Sequence, residues 1–118
     1  SDKINTKSKK MIKNVKYDIF CYINKNKQIA LTKTNQISFL KNFNLPKIEV
    51  SKTNSCIRNW NFLKNYKNSI SNLKMNINLY YKFSNKLPSS YTWYSLDQNK
   101  EFIPSFTKKI FRQVTTLF

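Results

Sequence analysis

The chain has 118 residues and carries 22 basic against 5 acidic side chains, a formal charge of +17 at pH 7. That length suits one domain burying roughly two thirds of its extended surface, and 40% hydrophobic with 15% aromatic residues excludes a chain disordered throughout. Its apolar runs fall short of the roughly 20 residues that span a bilayer, and the basic start is followed by no small-residue cleavage site, so the reading is an intracellular protein without a membrane partner.

Residues 1–16 read as a polar, basic lead-in, a linker or flexible arm, and residues 17–118 as the folded domain. Residues 17–23 are rich in aromatic and β-branched types, Asn24-Lys25-Asn26-Lys27 breaks the run, and residues 28–32 resume it. This is the pattern of a hairpin, with asparagine expected at the positive-φ positions that this glycine-free chain cannot give to glycine. Residues 34–46 mix Ile37, Phe39, Leu40, Phe43 and Leu45 with polar residues, which predicts a loop folded back on the core and ending in a short strand near Val50. Residues 56–60 predict a helical turn.

Residues 62–71 and 73–83 predict two strands joined through Ser71-Asn72. In the second, Leu73, Met75, Ile77, Leu79 and Tyr81 alternate with Lys74, Asn76, Asn78, Tyr80 and Lys82, the period of a half-buried antiparallel strand. Residues 91–96 form another strand candidate and 97–100 a loop. Phe106, Ile110, Phe111, Val114 and Leu117 recur at helical spacing, predicting a C-terminal amphipathic helix capped by Ser105, with Lys108, Lys109 and Arg112 off its apolar stripe. The fold class is therefore α+β, with a mixed or antiparallel sheet and a C-terminal helix. Tyr17, Phe20, Tyr22, Phe62, Phe106, Phe111 and Trp93 are assigned to packing, and Cys21 to the core as a small hydrophobe.

The chemistry of known catalytic motifs is missing. No histidine is present for a triad or a deaminase-type zinc site, and no glycine for a phosphate loop or dinucleotide turn. Cys21 and Cys56 are far apart in sequence, and Asp97 and Glu101, the nearest carboxylates to each other, read as part of a solvated loop. A genome rich in A and T favours Lys, Asn, Ile, Tyr and Phe codons and supplies some of the charge. It does not account for the scarcity of acidic residues, because glutamate codons tolerate the same bias. A nucleic acid is the favoured partner, since lysines neutralise phosphates without reading sequence. The hairpin tip Asn68-Ser69-Ile70-Ser71-Asn72, flanked by Lys64, Lys67 and Lys74, places short hydroxyl and amide groups among cations and is the candidate contact site.

Three stretches resemble, in order and spacing, the C-terminal domain of the MutY family of adenine DNA glycosylases. Residues 17–32 resemble its opening hairpin. Leu63-Lys64-Asn65-Tyr66-Lys67-Asn68-Ser69-Ile70-Ser71-Asn72-Leu73-Lys74-Met75 resembles the stretch where a strand ends in a Phe-Ser-His loop. Thr92-Trp93-Tyr94-Ser95-Leu96, with Ile103-Pro104-Ser105-Phe106 and Lys109-Ile110, resembles the family's ending. The similarity spans residues 10–116.

The resemblance implies a Nudix-like fold with a degenerate Nudix box and no hydrolase chemistry, in a bacterial, cytoplasmic protein acting on the chromosome. It implies a DNA-recognition module that contacts the 8-oxoguanine strand of duplex DNA while a separate catalytic domain, acting in cis, removes the mispaired adenine. That domain and its 4Fe-4S cluster are outside this chain, which needs no cofactor of its own. Ile70 takes the place of the family's wedge Phe, Ser71 that of the Ser that hydrogen-bonds the damaged base, and Asn72 that of the His. Only Ser71 is kept. The rival readings are a general nucleic-acid-binding domain, DNA or RNA, without lesion preference, a Nudix-type hydrolase, and a protein-interaction domain.

Overall fold

A computed structural model describes residues 11–52, 57, 59–95 and 103–118. The elements are β1 (Lys13–Ile23), β2 (Ile29–Leu31), β3 (Lys47–Val50), β4 (Asn61–Ile70), β5 (Leu73–Phe83), β6 (Thr92–Tyr94) and a helix, α1 (Ser105–Val114), that tightens into a 3-10 turn at Thr115–Leu117. The strands form one mixed six-stranded sheet in the order β4-β5-β1-β2-β6, with β3 also pairing β1. This is the expected α+β domain with a mixed sheet and a C-terminal helix.

The central contact is β1 on β5, parallel, with eleven registered pairs from Lys13↔Leu73 to Ile23↔Phe83. β4 runs antiparallel to β5 from Ile70↔Leu73 to Asn61↔Tyr81, with a bulge between Phe62 and Lys64. Because strand side chains alternate between faces, this register gathers Val15, Tyr17, Ile19, Cys21 and Ile23 beside Met75, Ile77, Leu79 and Tyr81 on one face. These residues build the core or pack against it. The Cys21 side chain is fully enclosed, and burial pushes its thiol well above the ordinary cysteine range.

α1 closes that face with Phe106, Thr107, Ile110, Phe111 and Val114, all buried. Thr107 Oγ1 donates to the Asn44 carbonyl at 2.8 Å, which ties the helix to the loop after β2. That loop folds onto the core as the sequence predicts. Ile37, Phe39 and Leu45 are buried, and Phe39 meets Tyr17 and Phe106 edge-on at 5.4 and 5.6 Å.

Several local expectations are corrected. β1 starts at Lys13, so residues 13–16 are strand and not linker; residues 1–10 lie outside the described part. At the β1–β2 turn the positive φ (62°) falls on Lys27, while Asn24 serves by hydrogen bonding: its side-chain oxygen accepts from the backbone N–H of Asn26 and Gln28 at 2.9 and 3.2 Å. Ser105 is the first residue of α1 and not its cap. Pro104 occupies the cap position, where a missing N–H costs nothing, and no side chain bonds the first turn.

Asn59 has φ 68° and neither it nor Trp60 is helical; the rest of the predicted turn at 56–60, apart from Ile57, lies outside the described residues, as does the loop at 97–100. Phe62, assigned to the core, is 56% exposed, and Tyr22 and Trp93 are only half-buried.

Ile77 has no exposed surface and sits where β5, β1 and β4 meet. Truncating it removes apolar contacts and leaves a cavity that a three-stranded register cannot collapse around. Ile77→Ala is expected to lower stability by about 2–5 kcal/mol, read as a fall in the urea midpoint at unchanged slope.

Candidate nucleic-acid interface

The same register that assembles the core assembles a second face. Reading across β4, β5 and β1, Ser69, Lys74 and Asn14 form one rung, and Lys67, Asn76 and Lys16 form the next. These rungs alternate with Asn68–Met75–Val15 and Tyr66–Ile77–Tyr17, which face the core, and so point away from it. Adjacent strands lie about 4.8 Å apart and successive rungs on one face about 7 Å apart. A groove of about 800 Å³ is lined by Asn14, Val15, Lys16, Lys67, Asn68, Ser69, Lys74, Met75, Asn76 and Lys109, four of them lysines and none of them acidic.

Lys109 enters from α1. Its ammonium stands 5.4 Å above the Tyr66 ring and donates to Asn68 Oδ1 at 3.4 Å, so a cation–π contact and a hydrogen bond together hold it over β4. The Tyr66 phenol is pushed above its ordinary range, chiefly by burial and then by Cys21, and stays protonated beneath that cation.

The side-chain carboxylates of the described residues are Asp18 and Glu49; neither lines the groove, and both sit in the rung next to that of Lys16. Asp18 is 4% exposed and accepts from Asn78 Nδ2 at 3.2 Å, while Glu49 pairs with Lys47 at 3.4 Å. Asn76 of the second lysine rung and Asn78 of the Asp18 rung are joined in an amide spine. Asn65 Nδ2 donates to Asn76 Oδ1 at 2.7 Å and to Asn78 Oδ1 at 2.9 Å. The spine fixes Asn76 and Asn78 as a neutral, preset surface beside the cations. Among the described residues no three His, Cys, Asp or Glu side chains cluster as a metal site, and no helix is long and apolar enough to cross a membrane.

Of the positions expected from sequence, Lys67, Asn68, Ser69 and Lys74 line the groove, and Lys64, further along β4, does not. Ser71 is exposed at the hairpin tip with φ 54°, the left-handed conformation that a two-residue turn reserves for residues such as glycine. Its neighbours are engaged elsewhere. Ile70 is half-buried and packs against the core cluster. Asn72 donates through Nδ2 to the Met11 carbonyl, and its own carbonyl accepts from the Lys13 N–H at 3.0 Å.

Sequence reasoning missed Asn14, Lys16, Asn76 and Lys109 as site residues. Strand alternation in residues 73–83 already put Asn76 on the face of Lys74. Lys16 and Lys109 become legible only once β1 is known to pair with β5 and α1 to lie over β4. Compared with known proteins, the chain matches no family model and no curated protein.

The left-handed backbone at Ser71 sets an order of tolerance. Ser71→Gly is expected to leave stability unchanged or raise it by up to about 1 kcal/mol, because glycine enters this region without a Cβ clash. Ser71→Val is expected to lower it by about 1–2 kcal/mol, since a β-branched residue resists positive φ. Urea titrations of the two variants beside the parent chain check the order.

Proposed function

We propose that this domain binds duplex DNA across the two lysine rungs, with the Ser71 tip directed toward the bases, and that it serves as the DNA-recognition module of an adenine glycosylase of the MutY kind, in a Nudix-like fold. The observation that carries the reading is the groove itself: Lys16, Lys67 and Lys74 line it from the outward face, Lys109 reaches it from the helix side of β4, and no carboxylate lines it. The three outward ammonium groups, set among neutral amides, suit a row of phosphates, because each contact releases condensed counterions. The exposed hydroxyl of Ser71 stands in the position that the family resemblance assigns to the base-contacting serine. Breaking the glycosidic bond belongs to a separate catalytic domain, which requires an extruded base and a carboxylate.

A second reading has a specific observation in its favour. With Ile70 packed against the core and Asn72 bonded to Met11, Ser71 is the one of the three carried-over positions whose side chain is not engaged within the domain in this way. A domain that grips any duplex without preferring 8-oxoguanine needs nothing more than the lysine rungs.

Equilibrium binding to duplexes with 8-oxoguanine or guanine opposite adenine, measured over a range of salt, tests both. Lys16→Ala, Lys67→Ala and Lys74→Ala are each expected to weaken both duplexes alike and to lower the salt slope by about 1. Ser71→Ala is expected to narrow the preference for the lesion and leave the salt slope unchanged. Equal affinity of the parent chain for the two duplexes at every salt concentration selects the general reading, and negligible binding in dilute buffer removes both.

A further inference from the structure

Beyond the amide spine, the outward face of the sheet changes character. Its fourth rung is Phe62, Tyr80, Phe20 and Lys47, read across β4, β5, β1 and β3, and its fifth is Lys82 and Tyr22. Phe20 stacks on Tyr80 at 5.4 Å with ring planes 18° apart, and Phe62 meets Tyr80 edge-on at 5.6 Å. Trp60 packs on Phe20 and Tyr22, both at 5.0 Å, and closes that side of the cluster.

Phe20 is consequently buried, but Phe62 is 56% exposed and Tyr80 half-buried, so two rings at the β4 edge still face solvent. Lys82 stands 5.4 Å from the Trp60 ring and Lys47 5.6 Å from that of Phe20, while Lys47 also pairs with Glu49. From the second lysine rung to this aromatic rung is four residues along β5, about 13 Å.

We infer that this aromatic end is a second nucleic-acid site, a stacking platform for unpaired bases of a DNA single strand, with Phe62 as the stacking ring and Tyr80 backing it. Charge selects the occupant. A strand of DNA that stacks a base here lies with its backbone toward Lys82 at one end and toward the lysine groove at the other, whereas a basic protein segment is repelled by the same lysines. Base–aromatic stacking has no sequence requirement, because every base has a π-face, and it combines with a cationic track in domains that hold single strands. The inference goes beyond the duplex reading in its residues, its contact chemistry and the form of DNA it takes.

Phe62 is exposed on an edge strand, so its replacement leaves the core intact. The experiment measures affinity by fluorescence anisotropy for a labelled oligothymidylate and for a plain duplex, using the parent chain, Phe62→Ala, Phe62→Tyr and Lys67→Ala. Phe62→Ala is expected to weaken oligothymidylate binding about tenfold or more while duplex affinity stays unchanged, and Phe62→Tyr to keep strand binding within about twofold. Lys67→Ala is expected to weaken duplex binding, which reports on the groove independently. Oligothymidylate bound equally well by Phe62→Ala and the parent chain overturns the inference while leaving the duplex reading intact. So does a parent chain that binds the duplex but not the single strand. A chain that binds neither overturns both.

Discussion

The parallel pairing of β1 with β5 is the constraint on which both faces of this domain depend. Parallel neighbours require a long crossover, and here the connection from Ile23 to Leu73 contains β2, β3 and β4. Once Lys13 is set against Leu73 and Ile23 against Phe83, alternation leaves no further choice. Odd-numbered residues from Val15 to Ile23 and from Leu73 to Tyr81 build or pack against the core, and even-numbered ones form the outward ladder. A slip of one residue would bury Lys16, Lys74 and Lys82 and expose Ile19, Ile77 and Leu79. The apolar core therefore fixes the lysines in register, and burial of residues that never touch a ligand is what gives the outward face its order.

That outward face carries a cost. The groove lysines raise one another's field over distances comparable to the physiological Debye length of about 8 Å, and no carboxylate lines the groove itself. The two carboxylates of the described residues sit one rung away, Asp18 bonded to Asn78 and Glu49 to Lys47. A polyanion bound there would remove that repulsion, which would link binding to folding stability. Lys109 shows how the chain tolerates the arrangement meanwhile, with its ammonium spread over the Tyr66 ring and bonded to Asn68.

How much of this was legible in the sequence followed from whether the signal was local. The alternation from Leu73 to Lys82 and the helical stripe of Phe106, Ile110, Phe111 and Val114 each sit in one short window, and both elements appear where the pattern places them. Residues 13–16 did not read as strand because Lys13, Asn14 and Lys16 are exposed even within it, so no apolar period marks them. Pairing with a partner sixty residues away makes that segment a strand, and no local window contains the partner. The same holds for the site. Lys67, Ser69 and Lys74 were visible as a cluster because one hairpin holds them. Lys16 and Lys109 join only through the crossover and the helix. Phe62 read as core because aromatic residues in strands usually are, yet it lies on the edge strand beside a bulge, where no further strand of the described residues covers it.

The segment misread as linker also matters for the tip. Lys13 and Met11 hold Asn72 through two hydrogen bonds, one to its carbonyl and one from its side-chain amide. Ile70 anchors the other side of the turn in the core cluster. Between two fixed neighbours, Ser71 has little freedom left, and its left-handed backbone is imposed by them rather than chosen by a permissive residue. A tip held in this way has already lost the entropy that a flexible loop would lose on contact. On the proposed MutY-like reading, the residues that brace this turn stand where that family has a wedge and a histidine, so that two direct contacts would be exchanged for a fixed presentation of one hydroxyl.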